Sequence, residues 1–412
     1  MTWLKGKFPW KLPMAVRWGL LAALLLFFLA TQRSLQNFAV NSDNPYFGLD
    51  YFTLPRCGLA LREGTSLWTS PQDYPNYGPW ASLWGSHPAV CLVFGVPLSY
   101  LSPWVGYWLS NALYLVLHLF LIIRFGKNLA LPYRKMDCVF FTIIGIFIPW
   151  YVLYHQAQYH GISVLALAMV LQGSRGRISG FILSALSKPF LAPGAITLLF
   201  HRKWKEIFWI GLFVGIGSFL AFGWTLDSNG ISFGTNHNFE RFFAFNQTAK
   251  YNAHRWAQIS SLSLFFSEFM NPESNYKIRL FIGLFMLIGS VTVLRMSSIQ
   301  VKLILASLFH TVVYAHGHEY HRTLLVPILL YLYCQSNGWY RRPWLVGTSA
   351  IMGAPSVYLL FRLWYGLPQD TGGPVLVETN YPLYLLFTAH RPLSELFLVA
   401  MIFYTERKNR TP

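Results

Sequence analysis

The chain has 412 residues, of which 54% are hydrophobic and only 11% charged. Soluble domains average about 25% charged residues, and so apolar a chain cannot hide its surface from water. Soluble enzymes and disordered scaffolds are therefore excluded, and the formal charge of +17 has to be explained by its placement. An all-α polytopic membrane bundle remains, with room for roughly ten or more spans of about 20 residues each.

In chain order the apolar runs cover 15–31, 104–123, 138–153, 161–172, 178–200, 206–225, 280–294, 303–315, 323–334, 344–361 and 383–403. They predict a single integral membrane domain over 1–412, built from about 10–12 transmembrane or re-entrant helices. Lys5, Lys7, Lys11 and Arg17 precede or open the first run, which puts the N-terminus inside. No small-residue cleavage site follows that run, so it reads as a retained signal anchor.

The other basic clusters are Arg124, Lys127, Arg134 and Lys135; Arg175 and Arg177; Arg202, Lys203 and Lys205; Arg295 and Lys302; Arg341 and Arg342; and Arg407, Lys408 and Arg410. With Asp137, Glu206 and Glu406 as their acidic neighbours, the inward clusters carry the whole excess of +17. Positive-inside topology accounts for the charge without nucleic acid. The chain reads as multi-pass in a bacterial-type inner or plasma membrane, with both termini cytoplasmic.

The run 178–200 lies between two inward clusters yet is too short for two spans. It is interrupted at Lys188-Pro189 and again at Pro193-Gly194, where proline ends or kinks a helix. It reads as a re-entrant pair of short helices, which must pack against protein or a wet cavity. Three segments then face outward: a long first loop, 32–103, with an interfacial apolar part at 89–102; a second loop, 226–278; and the turn His316-Gly317-His318-Glu319-Tyr320-His321. Titratable loops on a rigid bundle are where chemistry is usually placed. Cys57 and Cys91 would pair only if both faced an oxidising compartment, and four cysteines read more readily as free thiols than as a disulfide framework.

In the first loop, Asp50-Tyr51-Phe52 is followed by Gly64, Leu67 and Trp68, then Tyr77-Gly78-Pro79. Further on come Ala157-Gln158 with His160, Lys188-Pro189, and the basic exit His201-Arg202-Lys203-Trp204. This order of features, over roughly 15–210, resembles glycosyltransferase family 87. Its members have the GT-C fold and use polyprenol-phosphate sugars, typically mannose. The chain departs from the family pattern at Trp68 (a tyrosine there), Ala157 (a glycine) and His160 (an asparagine). The resemblance implies transfer of a sugar, mannose by expectation, from a polyprenol-phosphate donor to a glycolipid or glycan acceptor. The transfer would occur on the outward face by inverting single displacement, without a cofactor or divalent ion. It also implies that the catalytic aspartate is Asp50.

Such a transfer needs a carboxylate base for the acceptor hydroxyl and cations for the departing phosphate. Asp50, in an aromatic stretch, is the first candidate base, and Asp43, in a turn sequence, the second. For the phosphate, Lys188 comes first, since a lysine inside an apolar run costs a few kcal/mol and is by default a functional residue. Arg255, Arg241 and Arg322 follow, because guanidinium binds phosphate in bidentate fashion. His316, His318, His321, Gln158 and Tyr77 are candidate substrate contacts. Three histidines within six residues at a span boundary do not fit helical zinc spacing, so no metal is expected. The alternatives are a transporter or lipid flippase, which would also use broken helices and intramembrane charge, and a non-catalytic subunit of a membrane glycosylation complex.

Overall fold

The computed structural model describes residues 12–40, 49–62, 89–129, 135–157, 159–188, 190–222, 224–227, 230–233, 284, 289, 298–313, 319–335, 343–354 and 381–408. Fourteen helical segments carry most of these residues. They are α1 (Met14–Val40), α2 (Leu49–Arg62), α3 (89–98, with a π-helical turn at Cys91–Gly95), α4 (Pro103–Gly126), α5 (Lys135–Gly145), α6 (Ile148–Gln156), α7 (Gly161–Val170), α8 (Ser174–Ala185), α9 (Ala192–Phe200), α10 (Trp204–Phe222), α11 (Ile299–Val313), α12 (Leu325–Gln335), α13 (Pro343–Gly353) and α14 (Tyr381–Lys408). A 3-10 segment, Glu319–Leu324, leads into α12. One antiparallel hairpin breaks the expected all-α pattern: β1 (Trp224–Asp227) pairs with β2 (Gly230–Phe233), Trp224 opposite Phe233. It falls at the start of the second loop, where the sequence predicts no element.

Among the described residues, three stretches are long and apolar enough to cross a membrane: Met14–Gln32, Pro103–Gly126 and Lys135–His155. The last is the predicted run 138–153, built as α5 and α6 with a break before Pro149 in the first turn of α6. The runs 161–172, 303–315 and 323–334 form shorter apolar helices. Ten residues of helix rise only about 15 Å, half a hydrocarbon core.

The polarity of the helices is that of a lipid-facing bundle. On α1 the large residues Trp18, Leu21, Leu25 and Phe28 are exposed, while Ala15, Ala23 and Ala30 are buried. Small residues face the neighbour because backbones can then approach closely. A Cβ added at Gly145 of α5 would strike the Gly19 carbonyl and Ala23 of α1. On α4, Leu109, Leu113, Val116 and Phe120 form the exposed face, and Tyr107, Asn111 and His118 are buried on the other. His118 meets the Tyr154 hydroxyl at 3.0 Å and the Ile144 carbonyl at 3.1 Å, and stacks on Trp150.

The segment between Arg175 and Lys203 folds as two short helices, α8 and α9, interrupted at 186–191. Its two ends meet. Arg177, near the start of α8, donates from Nε and Nη2 to both carboxylate oxygens of Glu206 on α10, at 2.9 and 2.8 Å. Ser174 adds a 2.7 Å bond to the same group. The start of α8 and the start of α10 thus lie side by side. The second predicted interruption is absent. Pro193 sits in the first turn of α9, where its missing N–H would be unsatisfied in any case.

In the first loop, a disulfide joins Cys57 of α2 to Cys91 of α3, with Cα atoms 5.6 Å apart. This corrects the expectation of free thiols. The free cysteines among the described residues are Cys138 and Cys334. The pairing depends on two helices 34 residues apart in sequence being crossed closely, which spacing cannot reveal. Gly58 and Gly95 make that crossing possible: a Cβ on Gly58 would collide with the backbone of Gly95.

Candidate functional site

Three interruptions of helix meet on one side of the bundle: the α6–α7 turn, the α8–α9 break and the 3-10 segment before α12. Each frees side chains from helical geometry and aims them at the others.

The α6–α7 turn begins at Ala157, whose φ of 43° lies in the left-handed region that favours glycine. Tyr107 of α4 braces the end of α6, its hydroxyl donating toward the Tyr154 and His155 carbonyls at 3.3 and 3.1 Å. The turn then presents Tyr159 and His160, both buried.

The α8–α9 break is stitched by Ser184. Its hydroxyl donates to the Lys188 carbonyl at 3.0 Å and accepts from the Leu191 N–H at 3.3 Å. A serine side chain therefore serves the backbone of the break. The Lys188 ammonium lies 4.7 Å from the centre of the Tyr159 ring, in cation–π range.

The 3-10 segment supplies His321 and Arg322, both buried. The rings of His321 and His160 meet edge to face, 4.7 Å between centroids, and Phe190 lies beyond His160 at 6.4 Å. Burial, and after it the charge of Lys188, hold the His160 imidazole well below its usual range. It is neutral at physiological pH, with one N–H to donate. Arg322 is fully buried and its Nε donates to Glu395 Oε1 of α14 at 2.9 Å. Its first task is thus to fix the 3-10 segment against α14.

Lys188 and the adjacent pair His321 and Arg322, predicted from two distant stretches of the sequence, belong to this assembly. Asp50 lies in the first turn of α2. One turn on, about 6 Å along the axis, Leu54 packs with Cys57, Cys91, Tyr159 and Ile162 in one apolar cluster. The helix carrying Asp50 therefore shares an apolar cluster with the tyrosine beside Lys188. Asp43, Tyr77, Gln158, Arg241, Arg255, His316 and His318 lie outside the described residues.

Sequence reasoning passed over Arg56, Arg391 and Glu395, each at most 1% exposed. Burial pushes the Arg56 guanidinium down to about 10, still protonated at neutral pH. Arg56 shares α2 with Asp50, and Arg391 and Glu395 lie one turn apart on α14. The rule that singled out Lys188, a charge inside an apolar stretch, would have found all three. The assembly brings the half-buried Lys188 together with the buried His160, His321 and Arg322. No protein family, curated protein or solved structure matches the chain.

Proposed function

We propose that the chain is a multi-pass membrane glycosyltransferase that transfers a sugar, mannose by expectation, from a polyprenol-phosphate donor to a glycolipid or glycan acceptor. The observation that carries this reading is that Lys188 lies over Tyr159 and the next residue, His160, meets His321, while the Asp50 helix shares an apolar cluster with Tyr159. In the proposed reaction Asp50 accepts the proton of the acceptor hydroxyl as its oxygen bonds to the anomeric carbon. The bond from that carbon to the donor phosphate breaks on the opposite face, so the configuration inverts. The polyprenol phosphate leaves with one more negative charge, which Lys188 and an imidazole N–H take up. Arg241, Arg255, His316, His318, Gln158 and Tyr77 belong to the same proposal as further donor or acceptor contacts, with Asp43 as the alternative base.

The disulfide supports an outward, oxidising placement of the first loop. The meeting of Arg177 with Glu206 supports placing both flanking basic clusters on one inward side. The site then faces outward and both termini face the cytoplasm. A transporter is the second reading, favoured by the polar residues Asn111 and His118 buried inside α4.

The test is transfer from radiolabelled polyprenol-phosphate mannose to extracted lipids, in membranes holding wild type, Asp50→Asn or Lys188→Gln. Wild type should make a labelled glycolipid. Loss of the base should lower the rate by roughly 10²–10⁴, and loss of Lys188 should lower it with partial recovery in Lys188→Arg. Equal product from wild type and Asp50→Asn would remove Asp50 from the mechanism. Labelled donor moved across the bilayer without transfer would establish the transporter instead.

A further inference from the structure

A second assembly of charge lies at the other end of the re-entrant pair, where α8 and α10 begin and α9 ends. Arg177 and Lys302 are buried there, at 5% and 6% exposure. Lys302 lies in the first turns of α11, which packs along α9. Arg202 and Lys203 are exposed between α9 and α10, and Lys205 is exposed in the first turn of α10. Arg202 takes a φ of 51° and the Lys203 N–H returns to the Leu198 carbonyl at 2.9 Å, a tight turn that keeps these cations beside the end of α9. The carboxylate of Glu206 is consumed by its two bonds to Arg177 and one to Ser174.

His201 is the residue that ends α9. Its Nε2 is buried and has no hydrogen-bond partner among the described residues. Burial first, then the charges of Lys302, Lys203 and Arg177, lower its affinity for a proton, so three cations from three segments act on one neutral donor. The apolar surroundings are exposed: Phe200 is 59%, Trp204 61% and Phe208 62% accessible, and the outer face of α10 continues through Leu212, Phe213, Ile216 and Phe219. A 19-residue helix begins at Trp204, and its N-terminal amides favour an anion.

We propose that this cluster binds the headgroup phosphate of an anionic phospholipid, with Lys203, Lys302 and the His201 imidazole as its contacts and the acyl chains lying along the outer face of α10. Cation clusters at helix ends flanked by lipid-facing aromatics suit such a headgroup. A free phosphate would be held by the cations but would not use the exposed apolar face. This site is separate from the proposed donor site and does not depend on it.

The experiment uses the purified full-length protein in phosphatidylcholine–detergent micelles, titrated with phosphatidylglycerol. Bound lipid is counted by native mass spectrometry, and thermal unfolding is followed in parallel. Wild type should retain phosphatidylglycerol saturably and gain thermal stability. Lys203→Gln, at an exposed position, should weaken retention about fivefold, since one such cation is worth about 1 kcal/mol at a membrane surface. Lys203→Gln with Lys302→Gln should weaken it further, by about thirtyfold. Lys127→Gln, an exposed change at the end of α4, should leave it unaltered. Equal weakening by Lys127→Gln would mean diffuse attraction and overturn the proposal. So would non-saturable retention, or displacement of the lipid by inorganic phosphate at matching concentration.

Discussion

Removing the acidic half of the Arg322–Glu395 pair should unfold the protein several degrees earlier. Both side chains are fully buried, and Arg322 Nε lies 2.9 Å from Glu395 Oε1. Glu395→Gln keeps the shape and takes away the charge, which leaves a guanidinium in a dry interior. Breaking a buried pair from one side costs about 3–5 kcal/mol. At an unfolding entropy of about 2 cal/mol/K per residue, a loss of about 4 kcal/mol in a chain of 412 residues lowers Tm by about 5 °C. The assay is thermal unfolding of purified wild type, Glu395→Gln, and the double variant Arg322→Met with Glu395→Leu. The double variant should recover most of the loss, because it removes both desolvation penalties together. A Glu395→Gln protein as stable as wild type would refute the pairing. A double variant less stable than Glu395→Gln would refute the account of its energetics, since the cost would then lie in lost packing.

Four further outcomes follow from the same structure. Unreduced, denatured protein should titrate the two thiols Cys138 and Cys334, and all four cysteines after reduction. Opening the Cys57–Cys91 bridge, by reductant or Cys91→Ser, should cost about 4 kcal/mol for its 34-residue loop on the chain-entropy account, read by denaturant unfolding. Ala157→Gly should stabilise by about 1 kcal/mol in the same assay, since a left-handed alanine is relieved at the end of α6; a loss of stability would mean that the methyl group packs better than the backbone is strained. His160 is held neutral, so the unfolded chain gains a proton below its ordinary value of 6.5 while the folded chain does not. Stability is therefore unaffected above about pH 6.5 and falls as pH drops below it, with His201 adding to the same trend. Tm at pH 5.5 against 7.5 reads this, and His160→Gln should flatten the difference.

The amino-acid sequence alone determined what depends on composition and on one-dimensional pattern. The apolar runs located α1, α4 and the α5–α6 stretch, because a bilayer demands a fixed length of uncharged helix. Lys188-Pro189 located the break between α8 and α9, because proline cannot continue a helix through its own missing donor. The clustering of cations on either side of 178–200 already implied that the chain turns back, and the Arg177–Glu206 contact has that geometry. An isolated charge in an apolar stretch is equally legible, so Arg56 and Glu395 could have been read as Lys188 was. Only the tertiary structure decided which of these charges meet. Lys188 reaches Tyr159 and His160 reaches His321 across the bundle, and Arg322 is met by Glu395, 73 residues away. Cys57 bonds to Cys91 because two glycines let α2 and α3 cross. Such contacts are set by the packing of helix faces in three dimensions, which the spacing of residues along one chain does not encode.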